Sequence, residues 1–87
     1  MHDSQWASKT YFHFRVFTNG SQLYESDPLA FDRVEDAWHE GAMSACELIR
    51  SMHGKIEADF DWRLDVCDEQ GTVIYRFSFK AEKLLVN

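Results

Sequence analysis

Residues 32–54 decide the fold of this chain, and their sequence is DRVEDAWHEGAMSACELIRSMHG. Apolar or small side chains recur there at intervals of three and four, the spacing that places them along one side of a helix. They are Val34, Ala37, Trp38, Gly41, Ala45, Leu48, Ile49 and Met52. The pattern predicts one long amphipathic helix that buries this stripe, begins with a capping box of Asp32 and Glu35, and ends at Gly54. Such a helix needs a surface to cover its stripe, so the flanking segments must supply one.

The segment before the helix predicts a β-hairpin. Residues 10–17, TYFHFRVF, are rich in aromatic and branched side chains, which favours a strand. Alternation puts Phe12, Phe14 and Val16 on one face and Tyr11, His13, Arg15 and Phe17 on the other. Asn19 and Gly20 follow, a dipeptide that favours a two-residue turn with positive φ at both positions.

The partner strand of this hairpin is predicted over residues 22–25. A turn centred on Asn19 and Gly20 sets the cross-strand pairs as Val16 with Leu23 and Arg15 with Tyr24. Pro28 then discourages any further strand before the helix, because proline has no N–H to donate to a sheet.

The segment after the helix predicts a second hairpin. Residues 60–67, FDWRLDVC, alternate with Trp62, Leu64 and Val66 inward and Arg63, Asp65 and Cys67 outward. A loop over residues 68–71, with Gly71 in the left-handed region, leads to a strand over residues 72–79. The predicted pairs are Val66 with Val73, Leu64 with Tyr75 and Trp62 with Phe77. A slip by one residue would bury Arg76 and reverse both faces.

The order of elements predicts an α+β fold of ββαββ type. Two hairpins form an antiparallel sheet, and the long helix packs on one face of it. Residues 1–9 are expected to be a flexible leader and residues 10–87 a single domain. The apolar tail residues Leu84, Leu85 and Val86 are expected to dock as a short extra element.

Composition excludes several classes of function. A net charge of −6 and a pI near 5.0 argue against broad contact with nucleic-acid phosphates. No apolar run approaches the length of a membrane helix, and no export signal is visible. Cys46 and Cys67 do not make a disulfide framework, so a reduced, cytoplasmic setting is expected.

Catalytic and cofactor motifs are missing from the sequence. It has no glycine-rich phosphate loop, nucleophile elbow, His-Glu-x-x-His or Cys-x-x-Cys motif, so no catalytic, cofactor-binding or metal-binding residue is predicted. The helix stripe opposite the buried one holds His39, Met43, Cys46 and Arg50. These donors suit a soft metal such as copper(I), but zinc-type sites usually recruit ligands from a second segment. A secondary contact surface is the preferred interpretation.

The sheet face turned away from the helix is the first candidate for an interaction surface. Its predicted members are Tyr11, His13, Arg15, Phe17, Tyr24, Arg63, Ile74 and Arg76. Arginines among aromatic side chains suit stacking of single-stranded bases, cross-strand ion pairs with Asp65, or contact with a second copy of the chain. The apolar members favour a homodimer over nucleic acid.

Two segments resemble a small bacterial family of unknown function. The family begins with Tyr-Phe-Phe-His-Val, which Tyr11, Phe12 and Phe14 match, and it ends with Trp-Arg-x-Glu-Val-x-Asp-Glu-x-Gly. The matches to that ending are Trp62, Arg63, Leu64, Val66, Asp68, Glu69 and Gly71. The chain departs from the family in its leader, its longer tail and the absence of an Asp-Glu-Glu-Gly run before the helix. The resemblance implies a ββαββ fold and no assigned activity.

The expected function is therefore that of a small protein-interaction domain that forms a homodimer and lacks catalytic activity. One alternative is an acidic inhibitor or nucleic-acid mimic that occupies a basic cleft of another protein. A second alternative is a ligand-binding or catalytic module with a pocket between helix and sheet. On the helix, Trp38→Ala is expected to cost about 3–5 kcal/mol and Met43→Ala little.

Overall fold

The computed structural model describes residues 9–52 and 54–85 and has the predicted α+β architecture with one additional strand. The elements are β1 (Thr10–Thr18), β2 (Ser21–Glu25), β3 (Leu29–Phe31), α1 (Val34–Ser51), β4 (Phe60–Cys67) and β5 (Val73–Ala81). All strand pairs are antiparallel, in the order β2-β1-β4-β5, and β3 also pairs with β1. The two predicted hairpins thus join through β1 and β4 at the centre of the sheet, and α1 packs on one face.

The core lies between α1 and the two central strands. Both predicted inward faces are buried, with Phe12, Phe14 and Val16 from β1 and Trp62, Leu64 and Val66 from β4. Full burial of a large apolar side chain contributes about 1.5–3 kcal/mol, so these two strands supply most of the hydrophobic stabilisation. The predicted leader falls largely on residues 1–8, which lie outside the described residues.

The predicted capping of α1 is wrong at both ends. The N-cap is Arg33, in extended conformation and without a side-chain cap hydrogen bond. Asp32 instead pairs with Lys9 at 2.9 Å, which ties the helix entrance to the start of β1. Glu35 lies in the first turn, where it favours the helix through the macrodipole and needs no capping box. The C-cap is Met52, so the helix ends before Gly54.

The buried stripe of α1 is narrower than predicted. Ala37, Gly41 and Ala45 are buried against the sheet, whereas Trp38 is 43% exposed. A Cβ on Gly41 would lie 2.9 Å from Phe77 Cε1. The small side chains therefore let the helix approach the sheet closely, and the larger ones are displaced to its flanks.

The flanking residues of the stripe separate to two sides. Trp38 packs beside β5, with ring centroids 5.0 Å from Tyr75 and 4.8 Å from Phe77. Leu48 lies on the β2 side, and both Leu48 and Val34 are exposed. The period of the sequence located the stripe correctly, but the closeness of the helix to the sheet decided which of its members are covered.

Gly41→Ala tests this close approach. The new methyl group would contact Phe77 at 2.9 Å and Val66 at 3.1 Å. Overpacking of a core costs about 1–3 kcal/mol, and the better helix propensity of alanine offsets about 1 kcal/mol of it. Chemical denaturation should show a net loss of up to about 2 kcal/mol. Gly54→Ala is the matched control, since a Cβ there meets nothing within 4 Å. A stabilised Gly41→Ala variant would contradict the observed helix–sheet spacing.

The first hairpin has the predicted turn but a different register. Asn19 and Gly20 have positive φ, 52° and 85°, as a two-residue turn of this type requires. The register follows the prediction for the pairs Thr18 with Ser21 and Phe17 with Gln22. An extra residue at Leu23 then makes a β-bulge, so the predicted pairs are wrong and the observed ones are Val16 with Tyr24 and Arg15 with Glu25.

Strand β3 contradicts the expectation based on Pro28. Leu29 follows the proline directly and pairs with Phe12 in β1. Between β2 and β3, the Phe14 N–H donates to Ser26 Oγ at 2.9 Å, and the Ser26 N–H donates to the Phe14 carbonyl at 2.8 Å. Pro28 is tolerated because it precedes an edge strand, where its missing N–H removes no ladder bond.

The second hairpin has the predicted faces in a shifted register. Strand β4 has the predicted bounds, and Gly71 has φ 85°. The Asp68 carboxylate accepts hydrogen bonds from the backbone N–H groups of Gln70 and Thr72, each at 2.9 Å, which closes the loop. The predicted pairs are wrong, because β4 and β5 are offset by two residues and Leu64 lies opposite Phe77. An even shift preserves the inward and outward faces.

The tail does not dock as predicted within the described residues. Leu84 and Leu85 follow β5 without regular structure, and both are largely exposed. Val86 lies outside the described residues. In the part of the chain that is described, no helix is apolar enough over a sufficient length to cross a membrane.

Candidate interaction surfaces

The outer sheet face is the face turned away from α1, and it carries most of the predicted interaction residues. The members found there are Tyr11, His13, Arg15, Phe17, Arg63 and Arg76. Ile74 was predicted to join them, but it is half-buried at the β5 bulge and packs against the hydrophobic core. Tyr24 does not belong to it, because the bulge at Leu23 pairs it with inward-facing Val16. Glu25 takes the place that had been predicted for Tyr24, and this exchange changes the charge balance of the face.

A buried carboxylate, Asp65, organises the centre of the outer sheet face. It is 2% exposed although it lies on the face that was predicted to be open. Arg76 donates to both of its oxygens, from Nε at 2.7 Å and from Nη2 at 3.1 Å, and Arg63 donates from Nε at 3.2 Å. The two guanidinium groups thus cover the carboxylate from neighbouring positions, which is the ion-pair alternative considered for this face.

The electrostatics of Asp65 follow from these contacts. Burial by itself would raise the pKa of its carboxyl, but the hydrogen bonds and charges of Arg76 and Arg63 outweigh burial and lower the pKa below its ordinary value. The hydrogen bond to Asp65, together with its charge, raises the pKa of Arg76. The group is therefore a structural ion cluster that stays charged at neutral pH.

A second charged group lies at the β1–β2 side of the outer sheet face. Glu25 Oε2 lies 3.3 Å from His13 Nε2 and 3.5 Å from Arg15 Nε. Neither nitrogen has hydrogen-bond geometry to a partner in the described residues, although both are buried. The charged groups are therefore within ion-pair distance, but their atoms are not aligned for hydrogen bonds. The close neighbours of His13 thus include a carboxylate, which the sequence had not placed there.

The aromatic and cationic members of the outer sheet face also contact each other. The Arg63 guanidinium lies 4.0 Å from the centroid of the Phe17 ring, a cation–π contact. Arg15, Arg63 and Arg76 face two carboxylates, Glu25 and Asp65. Most of the charge on this face is thus compensated within the chain, which lowers its need for a partner.

The two cysteines differ in exposure. Cys67 is fully buried beside β1, opposite His13 in the ladder. Burial raises the pKa of the Cys67 thiol, which keeps it protonated and unreactive. Cys46 is free and exposed on α1. Within the described residues no group of three metal-ligating side chains is assembled.

The outward stripe of α1 is exposed but is not a single site. Met43 is exposed, and His39 lies one turn before it on the same face. Cys46 and Arg50 instead line a groove of about 610 Å³ between α1 and β5. The apolar walls of this groove are Ala42, Ala45, Ile49, Phe77 and Phe79. The predicted secondary contact set is therefore divided between open helix surface and the side of β5.

Strand β5 forms one edge of the sheet, which we call the β5 edge. Within residues 9–52 and 54–85, β5 pairs with β4 and with no other strand. Its helix-side residues, Tyr75, Phe77 and Phe79, are only half-buried. Sequence reasoning missed this edge because the order of strands in a sheet is a tertiary property.

The other flank of α1 has a second groove, the helix–β2 groove, of about 630 Å³. Its exposed apolar members are Leu23, Tyr24, Leu29 and Leu48. Among the described residues that line it, Glu40 and Glu47 are the only charged ones. No sequence signal marked this groove, since it depends on the bulge at Leu23 and on the strand after Pro28.

Comparison with known families identifies one family and adds no chemistry. Comparison with curated proteins finds no significant match, and comparison with solved structures also finds none. One family matches residues 11–80, from the first strand through nearly all of the last, and its description is a domain of unknown function. The expected resemblance to an uncharacterised family is confirmed, and the chain belongs to the DUF6894 family.

Proposed function

We propose that the chain is a protein-interaction domain that forms a homodimer through its β5 edge and has no catalytic activity. The observation that carries this proposal is the edge itself. Strand β5 is nine residues long, and on one side it has no partner in the described residues. Such an edge is a template for pairing with another strand. A cytoplasmic setting is part of the proposal and rests on the free thiols of Cys46 and Cys67.

The opposite edge of the sheet supports the choice of β5. There, β2 is five residues long, is distorted by the bulge at Leu23, and is separated from β3 by Pro28. Bulges and proline are devices that block edge-to-edge association. The β5 edge has a bulge only near its start, at Ile74, and runs regularly from Tyr75 to Ala81.

Charge and overlap select one register for two antiparallel β5 strands. A two-fold axis at Phe77 pairs all nine residues, and it places Tyr75 opposite Phe79 and Arg76 opposite Ser78. An axis at Ser78 would place Arg76 opposite Lys80, and like charges directly opposite are destabilising. The axis at Phe77 also brings the half-buried aromatic side chains of both copies together on the helix side.

The remaining interaction surfaces support other functions less well. The outer sheet face has most of its charge compensated by Asp65 and Glu25. A catalytic module would need a reactive group in a cleft, but Cys67 is buried with a raised pKa. The expected absence of catalysis thus stays part of the proposal.

The pair of variants Ser78→Lys and Ser78→Glu tests the dimer and its register together. Lysine would face Arg76 of the second copy twice, once on each side of the axis, and glutamate would form two ion pairs there instead. Exposed pairs contribute about 0.2–1 kcal/mol each, so the dimer Kd should rise about tenfold with lysine and fall by a similar factor with glutamate. Sedimentation equilibrium at low salt measures both, because screening weakens exposed pairs.

Ser21→Lys and Ser21→Glu are matched controls on the β2 edge, which carries the bulge. There the same charges should leave the dimer Kd unchanged. A wild-type monomer at micromolar concentration would overturn the proposal. Equal responses at Ser78 and Ser21 would reject the β5 edge. If Phe17→Glu dissociates the dimer while neither Ser78 variant changes its Kd, the outer sheet face is the interface instead.

A further inference from the structure

We infer that the helix–β2 groove binds an amphipathic, basic helical segment of another protein. This inference is independent of the β5 dimer, because the groove lies on the opposite flank of α1. It follows from three properties of the groove: its apolar surface, its negative charge and the shape of its edge.

The apolar surface of the groove is contiguous and exposed. Leu23 is 66% exposed and Tyr24 58% exposed on the strand side, and Leu48 faces them from α1. Leu29 of β3 extends the same wall, and Phe14 contributes to the buried floor. Scattered apolar residues on a surface are ordinary, but several around one concave site mark a binding groove.

The charge of the groove indicates a basic partner. Glu40 and Glu47 lie along the helix side and are the only charged residues in the described part of its lining. Neither carboxylate makes an ion pair with another described residue. They are two helical turns apart, about 10 Å along the axis, so a partner with lysine or arginine at a similar spacing can meet both. The net charge of −6 attracts the same partner at longer range.

The strand side of the groove favours a helix over an extended peptide. An added strand would need a regular row of free backbone groups, but Leu23 is bulged and Pro28 interrupts the row between β2 and β3. A helix uses side-chain contacts instead and can lie between the exposed Leu48 and Leu23. Its leucine-type residues would face the groove and its basic residues would face Glu40 and Glu47.

The probe for this site is a synthetic helical peptide with leucines along one face and lysines directly beside that face, where they can meet Glu40 and Glu47. A leucine–glutamate peptide of the same pattern is its control. The lysine peptide should bind the full chain, and the glutamate peptide should not. The double variant Glu40→Gln/Glu47→Gln should weaken binding about five- to tenfold, since each rim pair contributes up to about 1 kcal/mol. Titration calorimetry at two salt concentrations measures the affinity and its screening.

Two matched controls separate the groove from general charge attraction. Glu35→Gln/Asp36→Gln removes the same charge from the first turn of α1, outside the groove, and should leave the affinity within about twofold. Leu48→Ser should weaken binding, whereas Met43→Ser, on the exposed stripe of α1, should not.

Three results would overturn the inference. Equal binding of both peptides, or equal effects of the groove and control variants, would show that the groove does not select a basic helix. Binding that appears only after removal of residues 1–8 or residues 83–87 would show that a segment of the chain itself occupies the groove. The third result concerns a fatty acid as a small apolar probe. If it binds saturably, loses binding in Leu48→Ser and does not displace the peptide, then the groove binds a small ligand and the peptide binds elsewhere.

Discussion

Trp62→Ala is expected to lower the free energy of unfolding by about 3–5 kcal/mol, the usual cost of removing a buried large aromatic side chain. Trp62 is 2% exposed, and it lies in β4 between Thr18 of β1 and Phe79 of β5. Its removal would leave a cavity that the neighbouring strands cannot close, because both are held in the ladder. Domains of this kind have a total stability of about 5–15 kcal/mol, so the loss is a large fraction of it. Urea denaturation measures the change.

Trp38→Ala provides the comparison. The sequence predicted that Trp38 would be a core residue with the same cost, but 43% of it is exposed. The exposed part of the ring contributes little, so the cost comes from losing the contacts of Trp38 with Tyr75 and Phe77. We expect a loss of about 2 kcal/mol. Met43→Ala should cost little, since Met43 is 60% exposed. A larger loss of stability in Trp38→Ala than in Trp62→Ala would contradict the observed packing of α1 on the sheet.

Asp65→Asn is expected to cost about 2–3 kcal/mol at neutral pH. The substitution keeps the size of the side chain but removes the charge that Arg76 and Arg63 approach at 2.7 Å and 3.2 Å. The cost stays below that of a fully buried ion pair, because both guanidinium groups are partly exposed and can be rehydrated. Asp61→Asn is the matched control, since Asp61 is an exposed carboxylate on the same strand.

The pH dependence of this difference has a defined sign. The folded-state pKa of Asp65 is lowered from 3.8, so its charge stabilises the folded state fully at pH values above 3.8. That contribution is lost as the pH falls through the lowered folded-state value. The stability difference between the wild type and Asp65→Asn should therefore be constant from neutral pH to about pH 5 and shrink in stronger acid. A difference that does not change with pH would show that Asp65 acts through packing alone.

Local patterns in the sequence predicted the parts of the fold that depend on neighbouring residues. The period of the helix, the alternation in residues 60–67 and the positive-φ turn at Asn19 and Gly20 all appear as expected. Each arises from backbone geometry over a few residues, which the side chains at those positions control directly. The loop at Gly71 belongs to the same class.

The registers and the interaction surfaces depended on tertiary structure. The bulges at Leu23 and Ile74 each insert one residue, and nothing in the local pattern marks them. The first bulge moved Tyr24 from the outer sheet face to the helix–β2 groove and replaced it with Glu25. A one-residue insertion reverses the face of every residue beyond it, so a small error in register became a large error in the predicted surface.

The sequence alone determined that this chain has a ββαββ core with one amphipathic helix, because hydrophobic period and turn residues act locally. Only the tertiary structure decided which side chains are exposed. The close approach permitted by Gly41 displaced Trp38 to the flank of α1. The order of strands left β5 at an edge, and the pairing of two arginines with Asp65 buried a charge on the open face. These outcomes depend on contacts between residues far apart in the chain, which no local pattern contains.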